Sequence, residues 1–292
     1  MCSIGGFISS SPLDRRTSRA LCTALIWYGS GRGSQSSGVY YRSASGSHLA
    51  KRAVSPASFI ESSDFFNVFD GDGSMALTHT RTPTSGGTDD YHAQPFQCGE
   101  TVIVHNGMIF NTDECRKRWS IVKPSGVDSE LYSAFIAHQG INKLPDFMEY
   151  TEGCSAIAAI HNDNLYLMRS GNPTFFTTFP LGDNQILVFA STEEQLLRSI
   201  YHTFLMHDDP NIQGTQQHIM LSASALKLKP LGRKIRPVTY GIDWDSYRVC
   251  QGYHTYSPKL LTPGDDKYSS IVRDLFQRPE MKHLDHRNLP LD

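Results

Sequence analysis

Cys2, the run His105-Asn106-Gly107, Arg81 and Asp128 are the residues of this chain whose types and settings point most directly to chemistry. A small residue after Met1 permits removal of the initiator methionine, and Cys2 would then carry both a thiol and a free α-amine. An α-amine has an ordinary pKa of about 7.7–8.0, so a good fraction is neutral near pH 7 and can take the proton of the adjacent thiol. Cys2 could equally be an arbitrary second residue, but the apolar and glycine run that follows it, Ile4 to Phe7, suggests an end tied into a strand. Acyl transfer also needs donors for a developing oxyanion. The Asn106 side chain and the Gly107 backbone N–H, directly after the strand-like run at 101–104, can point at one oxygen, although Asn-Gly is also a strong hairpin-turn signal. Arg81 could grip a carboxylate through its bidentate fork, and Asp128 could hold an ammonium. Each alone also fits a plainer role, a surface arginine and a helix cap.

The elements around these residues follow from periodicity. Residues 3–8 read as a strand opening a core. Leu21, Leu25 and Tyr28 recur at helical spacing, so 13–28 is expected to be an amphipathic helix that stops in the Gly- and Ser-rich run 29–38. Two strands follow at 39–43 and 48–54, then a loop at 61–74. Strands at 75–80 and 101–106 flank a polar loop. Helices are expected from 111, with Thr112 as a possible cap, and from Asp128. From 153 the texture changes to four strands, and Ser191 starts a helix with Glu193 and Glu194 in its first turn, where the helix dipole favours acids. One or two strands complete the chain at 219–240. Runs of antiparallel-type strands with segregated helices make this an α+β protein, without the alternation of a βαβ fold.

The 292 residues, 39% hydrophobic and 19% charged, are enough to bury a sizeable core, and disorder along the whole length is excluded. The net charge of −2 gives no bulk attraction for nucleic acid or anionic lipid. No apolar run reaches membrane-spanning length and the N-terminus lacks a signal-like pattern, so a cytoplasmic protein with no membrane partner and no nucleic-acid partner is expected. The six cysteines are scattered without a Cys-x-x-Cys, which points to neither a zinc site nor a disulfide framework. The twelve histidines contain no His-Glu-x-x-His, and no metal site is expected. The GSGRGS segment does not fit a dinucleotide fingerprint and no strand leads into it. The basic run 227–236 reads as a solvated face or a docking patch for an acidic partner. Residues 1–240 are taken as one domain. Residues 241–292, rich in Gly, Pro and aromatics, including Tyr247, Tyr253, Tyr256 and Tyr268, read as an extension that packs on the domain or docks a partner.

Taken in order, these pieces resemble the class II glutamine amidotransferase domains of the N-terminal nucleophile hydrolases. MCSIGGF is similar to the family's Met-Cys-Gly-Ile start, RGSQSSGVYY at 32–41 to its Arg-Gly-x-Asp-Ser-Ala-Gly-Ile segment, and THTRTPTSG at 78–86 to His-Thr-Arg-Trp/Tyr-x-Thr. HAQPF at 92–96 resembles Asn-Ala-Gln-Pro-Phe, HNGMIFN at 105–111 resembles His-Asn-Gly-x-Ile-x-Asn, and VDSELY at 127–132 resembles Ser-Asp-Ser/Thr-Glu. YLMRSGNP and VFASTEEQL resemble the later Arg-Asp-Pro and Ala-Ser-Glu segments. The similarity runs over about residues 2–200. Its style is closest to the glutaminase domains of amidophosphoribosyltransferase and glucosamine-6-phosphate synthase.

The resemblance implies a four-layer αββα sandwich, an amidohydrolase activity and no cofactor. It implies Cys2 as nucleophile with its own amine as base, Asn106 and Gly107 as oxyanion donors, Arg81 on the α-carboxylate and Asp128 on the α-ammonium of glutamine. Thr84 would sit near the bound substrate, and Arg32 would hold the site around Cys2. The expected partner is an ammonia-accepting synthetase or transferase in trans, because the roughly 50 residues after 240 cannot hold such a domain. A stand-alone γ-glutamyl amide hydrolase and a catalytically silent regulatory subunit are the alternatives. The sequence departs from the family pattern at Ser3, Gln35, Thr82 and Ser170, and Thr82 offers little apolar surface for excluding water from the site.

Overall fold

A computed structural model of the protein describes residues 2–84, 86–122, 126–205, 219–220, 224–231 and 234–241. Of the 241–292 extension, residues 242–292, with the tyrosines, lie outside the described residues. In chain order the elements are β1 (Ser3–Leu13), α1 (Arg15–Gly29), β2 (Ser36–Ser43), β3 (Gly46–Arg52), α2 (Pro56–Ile60), α3 (Ser63–Val68) and β4 (Gly73–Arg81). There follow β5 (Phe96–Cys98), β6 (Thr101–Ile109), α4 (Thr112–Trp119), α5 (Glu130–Gln139), α6 (Leu144–Tyr150), β7 (Gly153–His161) and β8 (Asn164–Ser170). The last are β9 (Phe175–Leu181), β10 (Asn184–Ala190), α7 (Glu193–Ile200), β11 (Ile219–Met220), β12 (Ser224–Leu231) and β13 (Lys234–Gly241).

The strands form two antiparallel sheets. One has seven strands in the order β11-β9-β10-β1-β4-β2-β3, and the other has six in the order β13-β12-β8-β7-β6-β5. Side chains alternate across each strand, which sorts the apolar residues into three cores. Ile4, Ile8, Leu77, Val102, Val104, Ala156 and Phe189 pack between the sheets. Phe7, Val39, Tyr41 and Ala76 face outward and are covered by Leu21 and Leu25 of α1, Leu196 of α7 and the Phe59–Phe65 pair of α2 and α3. On the far side Ile103, Ile157 and Ala159 face Leu131, Phe135 and Phe147 of α5 and α6. Helix, sheet, sheet, helix is the αββα order expected from the resemblance.

Four local expectations are corrected. The segment 61–74 is not all loop: Ser62 accepts the Phe65 N–H at 3.3 Å and Phe65 and Val68 are buried three apart, which is enough for the short helix α3. Helix α6 was not expected; it is short and held by burial of Leu144, Phe147 and Met148. Thr112 is the first residue of α4, not its cap; Asn111 takes that position, but its side chain is committed elsewhere, donating to Tyr150 O at 3.0 Å and accepting from Glu152 N at 2.9 Å. The cap position of α5 is Ser129, which leaves the Asp128 carboxylate for other work. Of the basic run 227–236, residues 227–231 fall on β12 and 234–236 on β13.

Candidate functional site

Strand alternation brings the predicted residues together. On β1, Ile4 faces the inter-sheet core and Ser3 the helix layer, so Cys2 belongs to the inter-sheet side. On β4, Thr80 donates to Gly29 O at 3.0 Å on the helix side, so His79 and Arg81 point inward. On β6, Val102 and Val104 are inward and Ile103 outward, so Asn106 is inward. The register sets Ser3 opposite Thr80, which puts Cys2 beside Arg81 at one end of the sandwich.

Cys2 is buried, and its thiol donates to Thr82 O at 3.8 Å. Arg32 Nε donates to Cys2 O at 3.0 Å, while Thr82 Oγ1 donates to Arg32 O at 3.4 Å. The loop after α1 thus holds the chain at Cys2 and at Thr82. Its close approach depends on Gly33, where a Cβ would stand 2.5 Å from the carbonyl carbon of Thr80. Ser3 is housed without strain on the opposite face, its hydroxyl donating to Gln195 Oε1 at 2.8 Å. Burial pushes the Cys2 thiol pKa up, and Arg81 pulls against that shift. A thiol raised in this way is protonated at neutral pH, so it needs a base to become a nucleophile.

Asn106-Gly107 is no turn. It lies inside β6, with Asn106 opposite Ala156 and Gly107 opposite Ser155 of β7. Gly107 is required there, because a Cβ would stand 2.0 Å from Cys154 O. The Asn106 backbone carbonyl accepts from Asn172 Nδ2 at 2.8 Å, yet the Asn106 side-chain Nδ2 is buried and has no hydrogen-bond partner among the described residues. A buried amide donor left unmade costs about 1–3 kcal/mol, and such an orphan aimed into the inward side is a ready donor for an incoming oxyanion.

Arg81 is buried, and its Nη1 donates to Gly87 O at 2.9 Å. Burial lowers its pKa, whereas the Cys2 thiol and the Asp128 carboxylate favour its charge. The buried Asp128 is fixed through backbone N–H groups: Ile109 N donates to Oδ2 at 2.8 Å and Ser129 N to Oδ1 at 2.9 Å. The Arg81 guanidinium and the Asp128 carboxylate both act electrostatically on the thiol, a pair matched to the two charges of an α-amino acid. Thr84, by contrast, is exposed in the loop after β4.

Sequence reasoning passed over the layer behind the site. His105 Nδ1 lies 2.7 Å from Ser129 Oγ and its Nε2 lies 3.0 Å from Ser155 Oγ, which is 2.7 Å from Tyr132 Oη. Gln94 Oε1 accepts from His105 N at 2.8 Å, and Gln94 Nε2 donates to His105 O and to Ser129 Oγ, both at 3.2 Å. His79 Nε2 donates to the same His105 carbonyl at 3.1 Å, joining the two sheets. Burial is the main cause holding the His79 pKa down to about 3 and that of His105 to about 4. Unfolded imidazoles take up protons from about pH 6.5 downward, whereas these two do not, so acid favours unfolding. The melting temperature is therefore expected to fall between pH 7 and pH 5, and to fall less in His79→Gln. A melting temperature that stays flat over that range would contradict the neutral, buried state of the two rings.

Residues 62–198 match the family described as the glutamine amidotransferase domain. Glutamine–fructose-6-phosphate aminotransferase (isomerizing) of Pseudomonas putida is 28% identical over 154 residues, 48% of this chain and 24% of the relative. Amidophosphoribosyltransferase of Methanocaldococcus jannaschii is 23% identical over 227 residues, 72% of this chain and 46% of the relative. The chain thus spans less than half the length of either relative. Among solved structures, glutamine phosphoribosylpyrophosphate amidotransferase from B. subtilis shares the fold, with a TM-score of 0.59, 13% identity and coverage of 83% of this chain and 50% of that one. Fold and family agree: the chain carries a class II glutamine amidotransferase domain, of the kind found in enzymes that act on the amide of glutamine. Among the described residues no helix is long and apolar enough to cross a membrane.

Proposed function

We propose that this chain hydrolyses the side-chain amide of glutamine through Cys2 and delivers the ammonia to an acceptor enzyme in trans. The observation that supports the reading is the inward placement of the Cys2 thiol, Arg81 and the Asn106 amide, with Asp128 acting electrostatically on both the thiol and Arg81. Removal of Met1 frees the α-amine of Cys2, which takes the thiol proton. The sulfur attacks the side-chain carbonyl carbon while Arg81 and Asp128 hold the α-carboxylate and α-ammonium. Negative charge on the carbonyl oxygen is met by Asn106 Nδ2 and the Gly107 N–H. The amine returns the proton to the leaving nitrogen, the C–N bond breaks, and ammonia departs from a γ-glutamyl thioester. Water, deprotonated by the same amine, then cleaves the thioester to release glutamate.

The test is stoichiometric release of glutamate and ammonia from L-glutamine by the purified chain, and its stimulation by an acceptor enzyme. Equal release of the two products, faster in the presence of the acceptor, is expected. Turnover confined to other γ-glutamyl amides, with no acceptor dependence, would instead favour a stand-alone hydrolase.

A further inference from the structure

We propose that His105 is a positioning residue that acts through the Ser129 hydroxyl to orient Asp128, and so makes the site select substrates bearing an α-amine. The proposal rests on the glutaminase reading and concerns groups that never touch the substrate. The hydrogen bonds fix the direction of each proton. Gln94 Nε2 donates to Ser129 Oγ at 3.2 Å, so one lone pair of that oxygen is used. The hydroxyl proton then has two acceptors within reach, His105 Nδ1 at 2.7 Å and Asp128 Oδ1 at 3.5 Å. The nearer one takes it, which makes His105 the tautomer that carries its proton on Nε2, and that proton goes to Ser155 Oγ at 3.0 Å.

The consequence falls on Asp128. Its Oδ1 is anchored by the Ser129 backbone N–H at 2.9 Å, and the angle of that N–H depends on where the Ser129 side chain is pinned. With the hydroxyl drawn to His105 at 2.7 Å, Ser129 is held through its side chain, its contact to Asp128 Oδ1 stays long at 3.5 Å, and the carboxylate keeps its charge for the Cys2 thiol side, where it acts electrostatically. Without an acceptor at the His105 Nδ1 position, the hydroxyl rotates to Asp128 Oδ1 and competes with a substrate ammonium. His105 is well placed for this task because its backbone is locked by Gln94 on one side and by His79 of the other sheet on the other. The same rigid stretch carries Asn106, the next residue of β6.

The experiment compares L-glutamine with glutaramate, which has the same amide and carboxylate but no α-amine. The readout is the ratio of the two kcat/KM values in the full chain. Ser129→Ala is expected to lower the ratio about ten-fold, mainly through KM for glutamine, because Ser129 is then no longer pinned through its hydroxyl to His105 and Gln94, and its backbone N–H, though kept, holds Asp128 less rigidly. Ser129→Thr, which keeps the hydroxyl, is expected to restore it. His105→Asn places an amide oxygen near the Nδ1 position but cannot reach Ser155. It should keep the ratio within about two-fold while lowering the melting temperature, whereas His105→Leu should lower both. A purely structural role would reduce both substrates together and leave the ratio at its wild-type value in every variant; that result overturns the proposal. Wild-type protein that turns over neither substrate would instead overturn the glutaminase reading itself.

Discussion

Replacing Cys2 by alanine is expected to reduce glutamine turnover by about 10⁴-fold or more while leaving the fold in place. The size of the effect follows from the site. The thiol lies beside Arg81 on the inward side that also carries the Asn106 amide, and Cys2→Ala still supplies the α-amine but gives it no thiol proton to take. The stability cost is small, about 1 kcal/mol or less, because the side chain is short and its single hydrogen bond is a weak S–H contact to Thr82 O. Circular dichroism and melting temperature should therefore match the unaltered protein. Turnover that survives in Cys2→Ala at a tenth of the starting rate would place the nucleophile elsewhere.

Removing the Asn106 amide should have the second largest effect. Asn106→Ala is expected to lower kcat by about 10²- to 10³-fold with little change in KM, because the donor is matched to charge that develops only in the transition state. The structure adds a prediction of opposite sign for stability. Nδ2 of Asn106 is buried without a partner among the described residues, so its removal relieves an unmet donor. Asn106→Ala should thus melt no lower than the unaltered protein, a separation of activity from stability that a residue kept for packing would not show. Parallel loss of kcat and melting temperature would contradict the oxyanion role.

Much of this site was legible in the sequence because its residues sit in short runs whose strand character is strong. Cys2 before an apolar start, Arg81 at the end of a strand and Asn106 after Val102 to Val104 could be placed on strands before any coordinates, and antiparallel pairing then had to bring strand ends together. The Asn-Gly dipeptide shows the limit of local reading. It is a hairpin signal by composition, but here the pairing of β6 with β7 continues through it, and the missing Cβ serves close approach to Cys154 O instead of a turn. Asp128 shows another. As a carboxylate before a helix it reads as a cap, yet its oxygens accept from Ile109 N and Ser129 N, and only the partner 19 residues away reveals the link to β6. The polar layer was invisible for the same reason: His105 meets Ser129 and Ser155 at separations of 24 and 50 residues, and nothing in a histidine's neighbours announces contacts at that range. Helices α3 and α6 escaped because they are six and seven residues long, too short for a 3.6-residue period to stand out.

The central claim is that a processed Cys2 is the nucleophile of a glutamine site. Intact-protein mass spectrometry before and after treatment with 6-diazo-5-oxo-norleucine, a glutamine analogue with a reactive carbon, tests it most directly. The account predicts a mass lacking Met1 and the gain of one adduct, mapped to Cys2 and suppressed by excess L-glutamine. A chain that retains Met1, or a processed chain that takes up no adduct on Cys2, would contradict it.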